Sequence, residues 1–182
     1  MGLFSFFSKN NKGLAVWYSI LTIMIIFGCT ACFKYSLSGV SIPNEVQTIF
    51  IPFFPNQAPT AVPGLSDQIN TALVDRFVNQ SRLRLSNDRN VADAVIDGVI
   101  ISYSNRPFSI ASDERASLNR VEIAVRATFK YRTEDEPKWN KSFSGFGDFD
   151  PSDDPIGGEN EAAQLAIQQL VENMFNEALG GW

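Results

Sequence analysis

Asn119-Arg-Val-Glu-Ile-Ala-Val-Arg-Ala-Thr-Phe-Lys-Tyr-Arg132 is the stretch that decides the fold. Val121, Ile123, Val125, Ala127, Phe129 and Tyr131 fall on one side of an extended chain. Arg120, Glu122, Ala124, Arg126, Thr128, Lys130 and Arg132 fall on the other. Period-two alternation over this length specifies a strand with one buried and one wetted face. Thr133 to Pro137 is a charged turn. Trp139 to Asp150 reads as the returning strand of a hairpin, with Trp139, Lys141 and Phe143 on one face and Asn140, Ser142 and Ser144 on the other. A sheet with one apolar face needs a second layer to cover it.

Upstream, Ala92 to Ser104 is expected as a long strand, in which Gly98 marks a bulge or the close approach of a neighbour. A polar segment from Pro107 to Ser117 follows it. Arg82-Leu-Arg-Leu85 alternates as a short strand. Residues 45–51, rich in β-branched and aromatic side chains and ending at Pro52, read as a strand apolar on both faces, hence internal. Gly64 to Ser81 shows helical spacing through Leu65, Ile69, Leu73 and Phe77. Glu159 to Leu179 shows it through Ala163, Ile167, Leu170, Met174 and Ala178, after a break at 151–158 containing two prolines and two glycines. The expected fold is α+β: a two-layer sandwich, a mixed four- to five-stranded sheet with two helices packed on one face. The other face is left to water or to a partner.

An apolar run from Gly13 to Gly28 precedes this domain, with Lys9 and Lys12 before it and Cys29-Thr-Ala-Cys32 after it. These are the parts of a lipoprotein signal. The run is marginal for crossing a bilayer core of about 30 Å but ample for a signal sequence. Cys32, preceded by small Thr30 and Ala31, is the preferred lipidation site; Cys29 and an uncleaved anchor are the alternatives. The expected division is a signal peptide over 1–31, a lipidated N-terminus and linker over 32–44, and one domain over 45–182.

The whole chain of 182 residues carries a formal net charge of −5, and loss of Lys9 and Lys12 takes it to −7. An acidic domain gains little from counterion release, so nucleic acid is not an expected partner. There is no histidine, and both cysteines lie in the leader region. That removes the commonest general base, the commonest metal ligand and any disulfide framework. No nucleophile elbow or phosphate-cradling glycine loop occurs, and Ser144-Gly145-Phe146-Gly147 lies inside a strand rather than before a helix. An enzyme, a cofactor and a metal are therefore not expected. Asp148, Asp150, Asp153 and Asp154 crowd together, but Pro151 and Ser152 interrupt calcium-loop spacing, and a solvated acidic turn is the better reading.

Arg120, Arg126, Lys130 and Arg132 share one side of their strand, and Arg82 and Arg84 share one side of theirs. Guanidinium forks match phosphate oxygens, so these are candidates for an anionic amphiphile; the plainer reading is the solvated face of an amphipathic sheet. Of the aromatic residues Phe50, Phe53, Phe54, Phe77, Phe129, Trp139, Phe143, Phe146 and Phe149, most are expected in the core. Phe53 and Phe54, set between Pro52 and Pro55, are alternatively interface anchors.

Several pieces in fixed order carry a resemblance. They are Cys32-x-x-Tyr35-Ser36-x-Ser38-Gly39, Ser41-Ile42-Pro43, Thr48-Ile49-x-Ile51-Pro52-x-Phe54, the Leu65-to-Phe77 helix, and the Ala92-Asp93 strand with Gly98. Asn119-Arg120, Asp148-Phe149-Asp150 and Phe175-Asn176-x-Ala178-Leu179-x-x-Trp182 complete the set. The chain resembles the LptE family of lipopolysaccharide-assembly lipoproteins, in the form found in Bacteroidetes-type bacteria. The resemblance implies a palmitate-type lipid anchor in the outer membrane of a Gram-negative bacterium, facing the periplasm. It also implies a plug that helps an LptD-type β-barrel fold, and binding of lipopolysaccharide on its way to the outer leaflet. By the same analogy Arg82, Arg84, Arg126 and Lys130 meet lipid A phosphates. The alternative is a general periplasmic scaffold for another envelope complex.

Overall fold

The computed structural model describes residues 42–60, 62–109 and 117–180. The leader, Cys32 and most of the linker lie outside the described residues. Five strands and two helices follow one another: β1 (Thr48–Phe50), α1 (Leu65–Val74) widening into a π-helical turn (Asp75–Asn79), β2 (Arg84–Leu85), β3 (Ala94–Ser109), β4 (Ser117–Tyr131), β5 (Trp139–Phe149) and α2 (Pro155–Leu179). The sheet order is β2-β1-β3-β4-β5. β1 runs parallel to both β2 and β3, while β3–β4 and β4–β5 are antiparallel. The sheet is therefore mixed, with β1 internal, and the α+β expectation holds.

The alternation of β4 orders the layers. Val121, Ile123, Val125, Ala127 and Phe129 are all essentially inaccessible. They join Leu65, Ile69, Leu73 and Phe77 of the first helix and Ala166, Leu170 and Met174 of α2 in one core. Phe77 meets Phe175 edge-on at 5.2 Å between centroids, locking the helices together. Trp139 stacks on Phe129 at 5.8 Å beneath them.

Two close approaches set the spacing between elements. A β-carbon at Gly98 would collide with the ring of Phe54, which is fully buried. The glycine is thus a seat for a neighbour, and the bulge itself lies farther on, between Ile100 and Ser102. Of the two proline-flanked aromatics, Phe54 is core and Phe53 is 63 % exposed. Gly145 and Gly147 of β5 lie directly under α2, where a β-carbon would strike the carbonyls of Ala166 and Ala162. Backbone thus meets backbone, and α2 sits low on the edge strand.

Some boundaries differ from the sequence expectation. β3 runs through Pro107 to Ser109 rather than stopping at Ser104. The backbone groups of Arg106 and Arg120 point toward each other across the ladder, so the nitrogen of Pro107, next in line, points to the free side and costs no ladder bond. α2 begins at Pro155, not Glu159, because Asp154 caps it by accepting from Gly157 N–H at 2.9 Å and proline suits the first helical position. β1 is shorter than 45–51: just before it the Gln47 amide is taken by the Asp93 carboxylate, and Pro52 follows soon after it.

Candidate functional site

Residues directly opposite one another in a sheet share a face. The register therefore assigns Val99, Arg126 and Ser142 to one row of the face turned away from the two helices, which no described element covers, and Val95 and Lys130 to another. Arg106, Arg120 and Asp148 form a third row near the far end of the β3–β4 hairpin.

At that far end the charges are mutually satisfied. Arg120 holds Asp148 in a two-pronged pair, Nε to Oδ1 at 2.6 Å and a terminal nitrogen to Oδ2 at 2.8 Å. Its guanidinium lies between the rings of Phe108, at 3.8 Å, and Phe146, at 4.1 Å. The hydrogen bond from Arg120 holds the Asp148 carboxyl below its ordinary range, and the same bond raises Arg120. Arg106 pairs with Glu122 at 3.0 Å beside it. Arg120 is thus spent on structure.

The middle of the face differs. Arg126 is exposed and has no ion-pair partner among the described residues. Ser142 and Val99 flank it across the ladders. Lys130, half-buried, donates to the Asp135 carbonyl at 2.7 Å. The two cations are four residues apart on one strand, about 13 Å. Arg84 lies three strand positions away, about 14 Å, and reaches the Gln47 amide oxygen at 3.3 Å. Arg82 donates to the carbonyls of Ile42 and Pro43 and to Asn44 Oδ1, pinning the chain before β1. Arg132, just past the end of β4, pairs with Asp93 at 3.4 Å. The sequence-predicted cations are therefore spread over the sheet, and Arg126 is the one with its fork unoccupied among the described residues.

Three of the four carboxylates of the acidic turn have a task of their own. Asp148 serves Arg120, Asp150 accepts from the Ser152 amide and hydroxyl, and Asp154 caps α2. Sequence reasoning missed the Phe108–Arg120–Phe146 stack. Phe146 is in phase with Ser142 and Ser144, so parity alone places it on the wet face, where it is 44 % exposed. Phe108 carried no such signal, because Pro107 hid the continuation of its strand.

Asp93 also went unrecognised as a structural centre. It accepts from Thr48 Oγ1 at 2.8 Å and from the Thr48 and Gln47 amides at 3.0 and 3.1 Å, while its own N–H donates to Thr48 Oγ1 at 3.0 Å. The Thr48 hydroxyl, first among these donors, holds its carboxyl below the ordinary range.

A family model described as LptE, lipopolysaccharide-assembly, matches residues 46–178. No curated protein matches the chain by sequence. Solved structures similar in fold include a minor lipoprotein of Acinetobacter baumannii (TM-score 0.50, 14% identity, covering 75% of this chain and 92% of that one). A protein of Xanthomonas campestris is similar at TM-score 0.52 and 11% identity, over 78% of this chain and 92% of its own. A putative neuraminyllactose-binding hemagglutinin homolog of Helicobacter pylori is similar at TM-score 0.50 and 10% identity, over 80% and 89%.

Proposed function

The chain belongs to the LptE family, and from that premise we propose a non-catalytic outer-membrane lipoprotein that plugs and helps fold an LptD-type β-barrel and binds lipopolysaccharide. Its role at the coarser level, lipopolysaccharide assembly, follows from the family. Cys32 carries the lipid anchor in this reading, and the uncovered face of the sheet receives the ligand. No helix among the described residues is long and apolar enough to cross a membrane.

One observation carries the binding half of the proposal: Arg126 stands exposed on the uncovered face with no counter-ion among the described residues. An unpaired guanidinium offers a fork to phosphate oxygens without first breaking an internal ion pair. Lys130 supplies a second charge on the same strand and Arg84 a peripheral one. Arg82 acts through the linker, whose carbonyls it holds.

The test uses full-length protein and purified lipopolysaccharide. Arg126→Glu with Lys130→Glu is expected to weaken binding at least tenfold, about 1.4 kcal/mol, and to leave thermal unfolding unchanged. Undiminished binding by the folded variant removes these residues from the site.

A further inference from the structure

The helix layer has a second feature on the side of the molecule away from the open sheet face. A groove of about 610 Å³ runs between the first helix and α2. Positions 67, 68, 71, 72, 75 and 76 of one helix and 164, 167, 168, 171 and 172 of the other line it, a single stripe on each at helical spacing. Ala72, Ile167 and Val171 form an apolar floor. Gln68, Gln164, Gln168 and Thr71 form polar, uncharged walls.

Charge distinguishes this groove from the sheet face. Asp67 lines it without a cation at ion-pair distance among the described residues, and Asp75 keeps its charge there while accepting from Asn79 Nδ2 at 3.1 Å and Gln80 Nε2 at 2.8 Å. Its one cation, Arg76, is consumed: it pairs with Glu172 at 2.6 Å and donates to Gln80 Oε1 at 2.7 Å. This tie joins the two helices and closes one end. The π-helical turn brings Gln80 beside Asp75, five residues earlier, where its Nε2 donates to Asp75 Oδ2 at 2.8 Å.

We propose that this groove docks an extended segment of a partner protein bearing lysine or arginine. A glutamine amide can accept a backbone N–H and donate to a backbone carbonyl, so paired glutamines suit a peptide strand. From Asp67 to Gln80 the helix rises about 20 Å, room for about six extended residues. The aliphatic floor covers one side-chain row, and Asp67 and Asp75 meet the basic ones. A phosphate finds no available guanidinium here. A sugar finds no aromatic ring to stack on. The inference is independent of lipopolysaccharide binding, which concerns the opposite face.

The experiment measures binding of two fluorescent ten-residue peptides, alternating Gly-Lys and Gly-Glu, and of maltoheptaose, to the full chain in detergent micelles. The lysine peptide is expected to bind, and the glutamate peptide and maltoheptaose are not. Gln164→Ala with Gln168→Ala leaves the charge unchanged and is expected to cost at least tenfold; Asp67→Asn gives a second, isosteric loss. Glu161→Gln, outside the groove, is expected to bind as the parent does. Absence of lysine-peptide binding overturns the proposal. So does equal weakening by Glu161→Gln, which would mean general charge attraction, and so does binding of maltoheptaose that the glutamine variants abolish.

Discussion

Asp93 matters to this fold because it joins two strands that pair over only two positions. β1 and β3 are matched at Ile49–Ala94 and Phe50–Val95 alone. The Asp93 carboxylate and its N–H add four hydrogen bonds to the same junction. Bonds from a charged acceptor to backbone amides are among the stronger ones, and Asp93→Ala is expected to cost about 2 kcal/mol. The pH dependence has a definite sign. The folded carboxyl is more acidic than its ordinary value of 3.8, so the unfolded chain binds the proton more readily. Its contribution is complete above that range and disappears as the pH falls through the depressed folded value. Asp148 and Asp150 shift the same way. Acid titration of thermal stability checks this: Asp93→Asn should start less stable at neutral pH and lose less on acidification than the parent. Parallel acid losses in the two would exclude the role.

At the scale of elements, the seating of α2 on β5 leaves no room for a side chain. Gly145 lies against the Ala166 carbonyl, and no rotamer change can move a backbone oxygen aside. Gly145→Val is therefore expected to lift the helix and cost about 3 kcal/mol, a fall in Tm of about 10 °C. Ser144→Val, one residue along on the wet face, should change Tm little; comparable losses from both would mean a general intolerance of β5. The same helix guards the outer edge of that strand. Gln169 Oε1 accepts from the Phe146 amide at 2.8 Å, which blunts an edge open to other chains. Little of this was legible in the sequence. Strand β4 declared itself because its two faces have opposite solvents, and the helices because one stripe of each is core. Close backbone approach leaves only glycines, which elsewhere mean a turn. The extension of β3 past Pro107 was hidden for a related reason: proline is harmless when its nitrogen faces a free edge, and sequence does not show which way it faces. At the site, parity separated Arg126 from the core residues, but it could not reveal that Asp148 neutralises Arg120 or that linker carbonyls hold Arg82. Those facts depend on contacts between residues 28 and about 40 positions apart.

On the scale of the whole molecule, the two layers differ in sign. From Leu65 to Asn79 and along α2 the carboxylates are Asp67, Asp75, Glu159, Glu161, Glu172 and Glu177, against Arg76 as the only cation. The uncovered sheet face carries Arg106, Arg120, Arg126 and Lys130 against Asp97, Glu122 and Asp148. Such a division orients a protein between an anionic ligand on one side and a less anionic surface on the other. It suits a domain whose two faces meet different surroundings, as an enclosing partner would provide. The proposed barrel is such an enclosure. Full-length tagged protein, extracted from outer membranes in mild detergent, should therefore bring down a large β-barrel in equal amount. That association should persist in the Arg126→Glu, Lys130→Glu variant if the sheet cations serve lipopolysaccharide and not the barrel. Recovery of the lipidated, folded protein without a barrel would sink the plug reading and leave the fold and the family intact. Recovery of the barrel with the parent but not with the charge-reversed variant would move those two cations from the ligand to the barrel wall.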